Sequence, residues 1–248
     1  ANCKMEDLTI NVSCAGYVSA GGICGYGGNG SSISWCNIKN TTISGSTTGS
    51  QRVPRVGGIC GYSNYADISN CSVVKDSGNH KITGSCSNYS SYTGGICGDM
   101  IGNITSCYVK GYDIEGTGNY HNYVGGICGQ IQSSKTILKS YVESVNLSSS
   151  GRVTMGGICG YSLGNANSCY VKNSSISGSS NNSGSCVGGI CGYIYSSKTM
   201  SSSYFYGGSI DFTGSGNFGY LVGNNLGTIT DSFTSLSGAL NLVGTGNA

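Results

Sequence analysis

The fourteen cysteines are the residues of this chain whose spacing most clearly indicates chemistry. A first set follows a recurring pair of glycines, and a second set stands ten to twelve residues further on. The first set is Cys24, Cys60, Cys97, Cys128, Cys159 and Cys191, and the second is Cys36, Cys71, Cys107 and Cys169, with Cys3 as its first member. Cys14, Cys86 and Cys186 belong to neither set.

Two patterns of disulfide pairing compete for these two sets. Cysteines stacked in adjacent repeats would have Cα atoms about 4.8 Å apart, but their parallel Cβ vectors suit a disulfide poorly. Pairing within one repeat is therefore favoured, and it joins Cys24 to Cys36, Cys60 to Cys71, Cys97 to Cys107 and Cys159 to Cys169.

Free cysteines that act as small buried apolar residues are the alternative, because Ser140 and Ser203 stand where Cys128 and Cys191 would need partners. A metal or redox role is disfavoured, since no histidine accompanies either set. So many cysteines without a zinc-finger motif favour an oxidising, extracellular compartment. The chain starts at Ala1-Asn2-Cys3, and we expect that a secretory leader has already been removed.

The acidic and histidine residues do not form a pattern typical of an enzyme. Glycosidases built on solenoids need carboxylates on adjacent repeats, whereas the ten acids of this chain fall at different repeat positions. His80 and His121 stand in variable segments, where a solvated loop residue is the simpler interpretation. The sequence predicts no catalytic residue, no metal site and no cofactor.

Tyrosine and threonine offer surfaces for binding. Tyrosines follow both cysteine sets, and they predict either an aromatic strip for carbohydrate or, preferably, regular stacking that stabilises the fold. They are Tyr26, Tyr62, Tyr161 and Tyr193, and Tyr108, Tyr141, Tyr170 and Tyr204. An ice-binding face would need threonines in one column, and Thr41, Thr83, Thr105 and Thr136 do not keep one.

The elements that position these residues belong to one repeated unit. The string Gly-Gly-Ile-Cys-Gly begins at residues 21, 57, 94, 125, 156 and 188, and a weaker copy begins at 219. Each unit contains about three short strand-like pieces separated by Gly, Ser and Asn, which indicates stacked coils. The sequence predicts an all-β parallel β-helix of about seven coils with a repeat of about 31 residues, rather than a propeller. Its core ladder is Ile23, Ile59, Ile96, Ile127, Ile158 and Ile190.

Composition agrees with a parallel solenoid and excludes several other classes. The single proline leaves almost every backbone N–H free to pair, and 44 glycines can form corners with positive φ. Only 9% of residues are charged and the net charge is +2, so we expect no nucleic-acid partner. No apolar stretch is long enough for a membrane span.

The two ends of the chain resemble incomplete repeats within a single domain, 1–248. Residues 1–20 look like the back half of a coil that starts at Cys3, and residues 239–248, with Leu242, Val243 and Gly244, look like the front half of another. Complementary half-coils predict head-to-tail joining of identical chains into a filament.

The repeat resembles the GLUG repeat. The shared order is Gly-Gly-aliphatic-x-Gly-Tyr, then a segment such as Ile104-Thr105-Ser106-Cys107-Tyr108-Val109-Lys110, then an aliphatic residue followed by Gly. The seventh copy, Tyr220-Leu221-Val222-Gly223-Asn224-Asn225, is nearest to the common form. The resemblance implies a β-solenoid of secreted and surface-attached proteins, including adhesins and non-catalytic regions beside proteases, with no catalytic residues. The many cysteines depart from the ordinary repeat.

These patterns together predict a non-catalytic extracellular protein with a structural or adhesive role, in which the chain is a filament subunit that binds copies of itself. The alternatives are a carbohydrate- or ice-binding module, with surface glycans as partners, or a fragment of a longer surface adhesin.

Overall fold

The computed structural model describes residues 2–235 and the backbone of residues 240–243, and within them it is an all-β parallel solenoid of about seven coils. Six repeats separate Gly21 from Gly219, a mean length of 33 residues. Each complete coil contains five strands rather than the predicted three. The Gly-Gly-Ile string is itself a turn that separates two strands, and this accounts for part of the difference.

Equivalent strands of successive coils pair in parallel, and they form five sheets that run the length of the solenoid. We number the strands of a coil from the one that begins at the motif cysteine. The first sheet contains Cys24–Gly27, Cys60–Ser63, Cys97–Met100, Cys128–Ile131, Cys159–Ser162, Cys191–Ile194 and Val222–Asn225. The second contains Ser32–Ser34, Asp67–Ser69, Ile104–Thr105, Thr136–Leu138, Asn165–Asn167, Thr199–Ser201 and Thr228–Thr230.

The third sheet contains Lys4–Glu6, Asn37–Lys39, Ser72–Val74, Tyr108–Lys110, Tyr141–Glu143, Tyr170–Lys172, Tyr204–Tyr206 and Phe233–Ser235. The fourth contains Thr9–Cys14, Thr42–Thr47, Lys81–Cys86, Asp113–Gly118, Asn146–Ser150, Ser175–Ser180, Ser209–Gly214 and Leu240–Val243. The fifth contains Val18–Gly21, Pro54–Gly57, Ser91–Gly94, Asn122–Gly125, Val153–Gly156, Cys186–Gly188 and Asn217–Gly219.

The motif isoleucines form one continuous ladder in the core. Ile59, Ile96, Ile127, Ile158 and Ile190 are fully buried, and Ile23 in the first copy packs against them with part of its surface exposed. Each carbonyl in the ladder accepts two N–H groups from the preceding coil; for example, Ile96 O accepts from Ile59 N at 3.0 Å and from Cys60 N at 3.0 Å. These bonds satisfy the turn's backbone without water.

The glycines of the motif are required by close approach rather than by backbone conformation. A methyl group on Gly126 would collide with the Gly157 carbonyl oxygen and lie 2.8 Å from Val142 Cγ2. A methyl group on Gly129, after the cysteine, would lie 2.8 Å from Thr93 N in the fifth-sheet strand Ser91–Gly94. The repeat therefore needs Gly-Gly before the isoleucine and Gly after the cysteine, so that neighbouring backbones can touch.

The expectation that glycine supplies positive φ at the corners of the coil holds only in part. Between the second and third strands the left-handed residue is a non-glycine in every copy: Trp35, Asn70, Ser106, Lys139, Ser168, Ser202 and Asp231. The corner before the fourth strand is left-handed at glycine in two copies, Gly111 and Gly207, and at a non-glycine in four: Asp7, Asn40, Ser144 and Asn173. Asn tolerates this conformation better than most residues, and stacking on the next coil holds the others in it.

One buried tyrosine fills the core beside a lengthened connection. Four extra residues lengthen the connection before Lys81 relative to the other coils, and Tyr112 of the next coil fills the core there. Its hydroxyl donates to Thr41 O at 3.0 Å and accepts from Thr41 N at 2.8 Å. Tyr112 thus ties together two coils that do not stack directly.

The two end segments of the chain add strands to the first and last coils. Residues 4–21, in the segment predicted as a back half, provide the third, fourth and fifth strands of a coil. Cys3 is exposed, and its carbonyl accepts from Asn37 N at 2.9 Å. The strand Leu240–Val243 pairs with Ser209–Gly214, Leu242 opposite Phe212 and Val243 opposite Thr213. It is the fourth strand of the coil that begins near Gly219, so its prediction as the front half of a new coil is wrong; Gly244 lies outside the described residues.

No helix long and apolar enough to cross a membrane is found in the described part of the chain.

Candidate functional site

The fifth strand of one coil and the first strand of the next meet at the Gly-Gly-Ile turn, and their outward side chains line a groove along the solenoid axis. In the fifth sheet the outward column runs Arg55, Tyr92, Tyr123, Thr154, Cys186 and Asn217. In the first sheet it runs Tyr62, Asp99, Gln130, Tyr161, Tyr193 and Asn224. We call this surface the corner groove. Its two walls come close because the motif glycine after the cysteine lacks a side chain.

An ion pair occupies the N-terminal part of the corner groove. Arg55 Nε donates to Asp99 Oδ2 at 3.0 Å, and Gln132 Nε2 donates to Asp99 Oδ1 at 3.2 Å. Burial raises the pKa of Asp99, while the Arg55 guanidinium opposes this shift. The same guanidinium lies over the Tyr62 ring, 4.4 Å from its centroid. Both charges of this pair are already satisfied.

The C-terminal part of the groove widens into a cleft of about 500 Å³, which we call the corner cleft. Aromatic rings form much of its wall: Tyr161 stacks on Tyr193 at 4.8 Å, and Tyr123 meets Tyr161 edge to face at 5.4 Å. Asn217 and Asn224 add amide groups, and Cys186 lies between the two walls. Aromatic walls with a few polar groups are typical of sites for small polar ligands.

His121 and Arg152 are the ionisable nitrogen groups of the corner cleft. His121 Nδ1 lies 3.0 Å from the Tyr123 hydroxyl, and His121 Nε2 lies 3.2 Å from Thr154 Oγ1. Burial, helped by the charge of Arg152, lowers the pKa of His121 to about 4. The imidazole is therefore neutral at pH 7, and Arg152 carries the positive charge there.

Arg152 also lines a second cleft of about 440 Å³, the side cleft, which lies beside the corner cleft. Tyr120 belongs to both clefts and is 53% exposed, and its ring stacks on Tyr89 at 5.3 Å. The remaining lining of the side cleft is polar and uncharged: Asn119, Gly151, Ser179, Ser180, Asn181 and Asn182.

The tyrosines on the third sheet form a stack. Successive ring centroids along Tyr108, Tyr141, Tyr170, Tyr204 and Phe233 lie 4.9, 4.6, 5.1 and 5.2 Å apart, with planes within 8° of parallel. Each inner ring covers the faces of its neighbours, so mainly ring edges reach solvent. This column suits stability and offers little flat aromatic surface to a sugar.

The cysteine sets lie as two columns in the core. Successive members of the first column are register partners between coils, and Cys24 Sγ lies 3.5 Å from Cys60 Sγ. All fourteen cysteines fall within the described residues, where no disulfide joins any two of them, and Cys3 and Cys14 are exposed. Burial raises the pKa of Cys169 to about 12 and also raises the pKa of Cys97 and Cys159. The within-coil pairs, from Cys24–Cys36 to Cys159–Cys169, stay a prediction.

Most acidic side chains serve in ion pairs on the outer face of the solenoid. Glu6 and Asp76 both contact Lys39, Asp113 contacts Lys75, and Glu143 lies between Lys110 and Lys172. Within residues 2–235, no group of three or more His, Cys, Asp or Glu side chains is arranged to hold a metal ion. The threonines considered for ice binding lie apart: Thr41 is buried, Thr83 is on the fourth sheet, and Thr105 and Thr136 occupy different columns of the second.

Arg152, Asp99 and the role of His121 are not evident from the repeat pattern. The outward columns of the corner groove change residue type from coil to coil, so repetition does not mark them. Arg152 stands in a connection of variable length, between Asn146–Ser150 and Val153–Gly156. The one available signal is indirect: the residue two places before the Gly-Gly pair is large in three of the copies, where it is Arg55, Tyr92 or Tyr123.

Comparison with known proteins agrees with the repeat resemblance. The family model of the GLUG motif matches residues 54–74, which span Pro54–Gly57 and the strands that follow to Val74. The resemblance seen in the sequence is confirmed over this coil. No curated protein and no solved structure matches the chain.

Proposed function

We propose that this chain is a non-catalytic, extracellular adhesive module that binds carbohydrate in the corner groove. The observation that carries the proposal is the corner cleft, where Tyr161, Tyr193 and Tyr120 stand beside the amides of Asn217 and Asn224. Tyrosine rings pack against the apolar faces of sugars, and amides exchange hydrogen bonds with sugar hydroxyls. The GLUG match over residues 54–74 is compatible with a surface or adhesin-like module.

Retention on immobilised polysaccharides tests the proposed function. The intact chain should be retarded on at least one neutral or acidic polysaccharide resin, and Tyr120→Ala should abolish most of that retention. Tyr206→Ala is the matched control, because Tyr206 is 49% exposed, close to the 53% of Tyr120, and lies on the third sheet away from the groove. The proposal fails if no resin retards the intact chain, or if both variants behave like it.

The extracellular assignment has its own test. Antibodies raised against the solenoid should label intact, unpermeabilised cells of the source organism or its culture medium. Labelling that appears only after permeabilisation would contradict a surface location.

Head-to-tail association of chains that lack the first two strands is a second candidate role, and one observation favours it. At both ends of the described solenoid, edge strands present unpaired backbone groups beside exposed apolar side chains, such as Leu8 at 48%, Leu226 at 54% and Phe233 at 56%. Open parallel edges of this kind template further pairing.

A further inference from the structure

Arg152 is a partly buried cation whose Nε–H has no acceptor. Its Nε is shielded from solvent and has no hydrogen-bond partner, and none of the ion pairs among the described residues includes its guanidinium. A buried N–H without an acceptor is unfavourable. A guanidinium without an acidic partner also favours an anionic ligand that neutralises its charge.

The contrast with Arg55 shows that this situation is not general to the corner groove. Arg55 lies in the same groove, and Asp99 compensates its charge at 3.0 Å. No Asp or Glu is found among the described residues that line the corner cleft or the side cleft. The neighbouring His121 is neutral at pH 7. The positive charge of Arg152 is therefore uncompensated where two clefts meet.

The guanidinium of Arg152 also packs against the loop that contains Gly184. A methyl group on Gly184 would lie 2.9 Å from Arg152 Nη2, so the guanidinium packs directly against the Gly184 backbone. A larger residue at position 184 would have to displace it. A planar guanidinium packed in this way offers its N–H groups as a rigid fork, the geometry that recognises a carboxylate.

We propose that Arg152 binds the carboxylate of an acidic sugar residue, such as a uronic acid, whose ring lies in the corner cleft. This rests on the proposed carbohydrate-binding function and names the class of sugar. The cleft of about 500 Å³ has room for one or two sugar rings. Tyr193 supplies an aromatic surface, since Tyr161 covers one of its faces and its neighbour in the next coil is Asn224.

The experiment compares a galacturonate oligomer with its methyl ester, because the ester keeps the sugar rings and removes the charge. By calorimetry, the intact chain should bind the acid form about 10- to 100-fold more tightly than the ester. Arg152→Gln should remove most of the difference in affinity between the acid form and the ester. Arg52→Gln is the matched control, since Arg52 lies over Tyr17 outside both clefts.

A thermal unfolding midpoint of Arg152→Gln at or above that of the intact chain shows that the variant is folded, as expected for a side chain without partners. Equal affinity of the intact chain for acid and ester overturns the role of Arg152 and leaves the proposed function standing. Oligoglutamate that binds as tightly as the galacturonate oligomer, with the same loss in Arg152→Gln, overturns the sugar assignment in favour of an acidic peptide. Failure to bind any polysaccharide overturns both proposals.

Discussion

His121 makes the stability of the solenoid depend on pH in a defined window. Its pKa is about 4 in the folded chain and near its ordinary value of 6.5 in the unfolded chain, because burial and Arg152 disfavour the imidazolium. Between these values the unfolded state binds more protons than the folded state, so the free energy of unfolding decreases as the pH falls from about 6.5 towards 4. Urea titrations at several pH values measure this decrease.

Replacement of His121 separates its effect on the free energy of unfolding from the effect of carboxylates that titrate in the same pH range. In His121→Gln the decrease between pH 6.5 and 4 should become shallower than in the intact chain. Identical slopes in the two proteins would contradict a buried neutral His121.

The cysteine columns lead to a second prediction at the scale of residues. Burial keeps column thiols such as Cys97 and Cys159 protonated and out of reach of reagents, and the thiolate is the reactive form. Brief alkylation of the native chain, purified without reductant, should modify Cys3 and Cys14 and spare fully buried thiols such as Cys97 and Cys159. After denaturation all fourteen should react. A Cys97–Cys107 cross-linked peptide in the mass spectrum would instead establish the within-coil pairing.

At the scale of elements, the Gly-Gly-Ile turn is the least tolerant part of the coil. Gly126→Ala places a methyl group against the Gly157 carbonyl and 2.8 Å from Val142 Cγ2, and the stacked backbones on both sides leave it no room. We expect a loss of about 1–3 kcal/mol or more in the free energy of unfolding, from denaturant titration.

A second glycine provides the control for this prediction. Gly28 lies outside the turn, and a methyl group there would meet Tyr26 Cε1 at an ordinary 3.7 Å. Gly28→Ala should change the free energy of unfolding by no more than about 0.5 kcal/mol. If both alanine variants are equally stable, close approach is not the reason for the motif.

At the scale of the whole molecule, the two ends overlap and are not complementary. Each contains a third and a fourth strand: Lys4–Glu6 and Thr9–Cys14 at one end, and Phe233–Ser235 and Leu240–Val243 at the other. If two copies stacked so that the first, second and fifth sheets continued without a break, these strands would compete for the same positions.

Removal of residues 1–14 should therefore promote association. Without the two N-terminal strands, Val18–Gly21 of one copy can follow Leu240–Val243 of the next, and each copy advances the axis by about seven coils of about 4.8 Å, or about 34 Å. Light scattering should show larger particles for the truncated chain than for the intact chain, and electron microscopy should show that axial repeat. A truncated chain that stays monomeric at high concentration would contradict head-to-tail stacking in this register.

The sequence by itself determines the solenoid, its parallel stacking and its isoleucine core. A motif that recurs at a near-constant interval records the contact between each coil and the next, since equivalent positions such as Ile96 and Ile127 must touch their own copies. A repeated motif therefore reveals contacts between residues that are far apart in the sequence. The repeat pattern was a poorer guide to the number of strands per coil and to the residues at the corners. Gly-Gly marks close approach of two backbones here, and residues such as Ser, Asn or Lys take most of the left-handed corners.

Only the tertiary structure decided where the candidate site lies. Tyr120, Arg152, Gly184 and Tyr193 come from different coils and from connections of unequal length, and they meet because the fifth and first sheets close on each other along the axis. Outward positions are not constrained by stacking in the core, so their residue types vary from coil to coil and leave no periodic signal. Because these outward positions can vary, a repeated fold can form one particular cleft, and the repeat pattern does not reveal its residues.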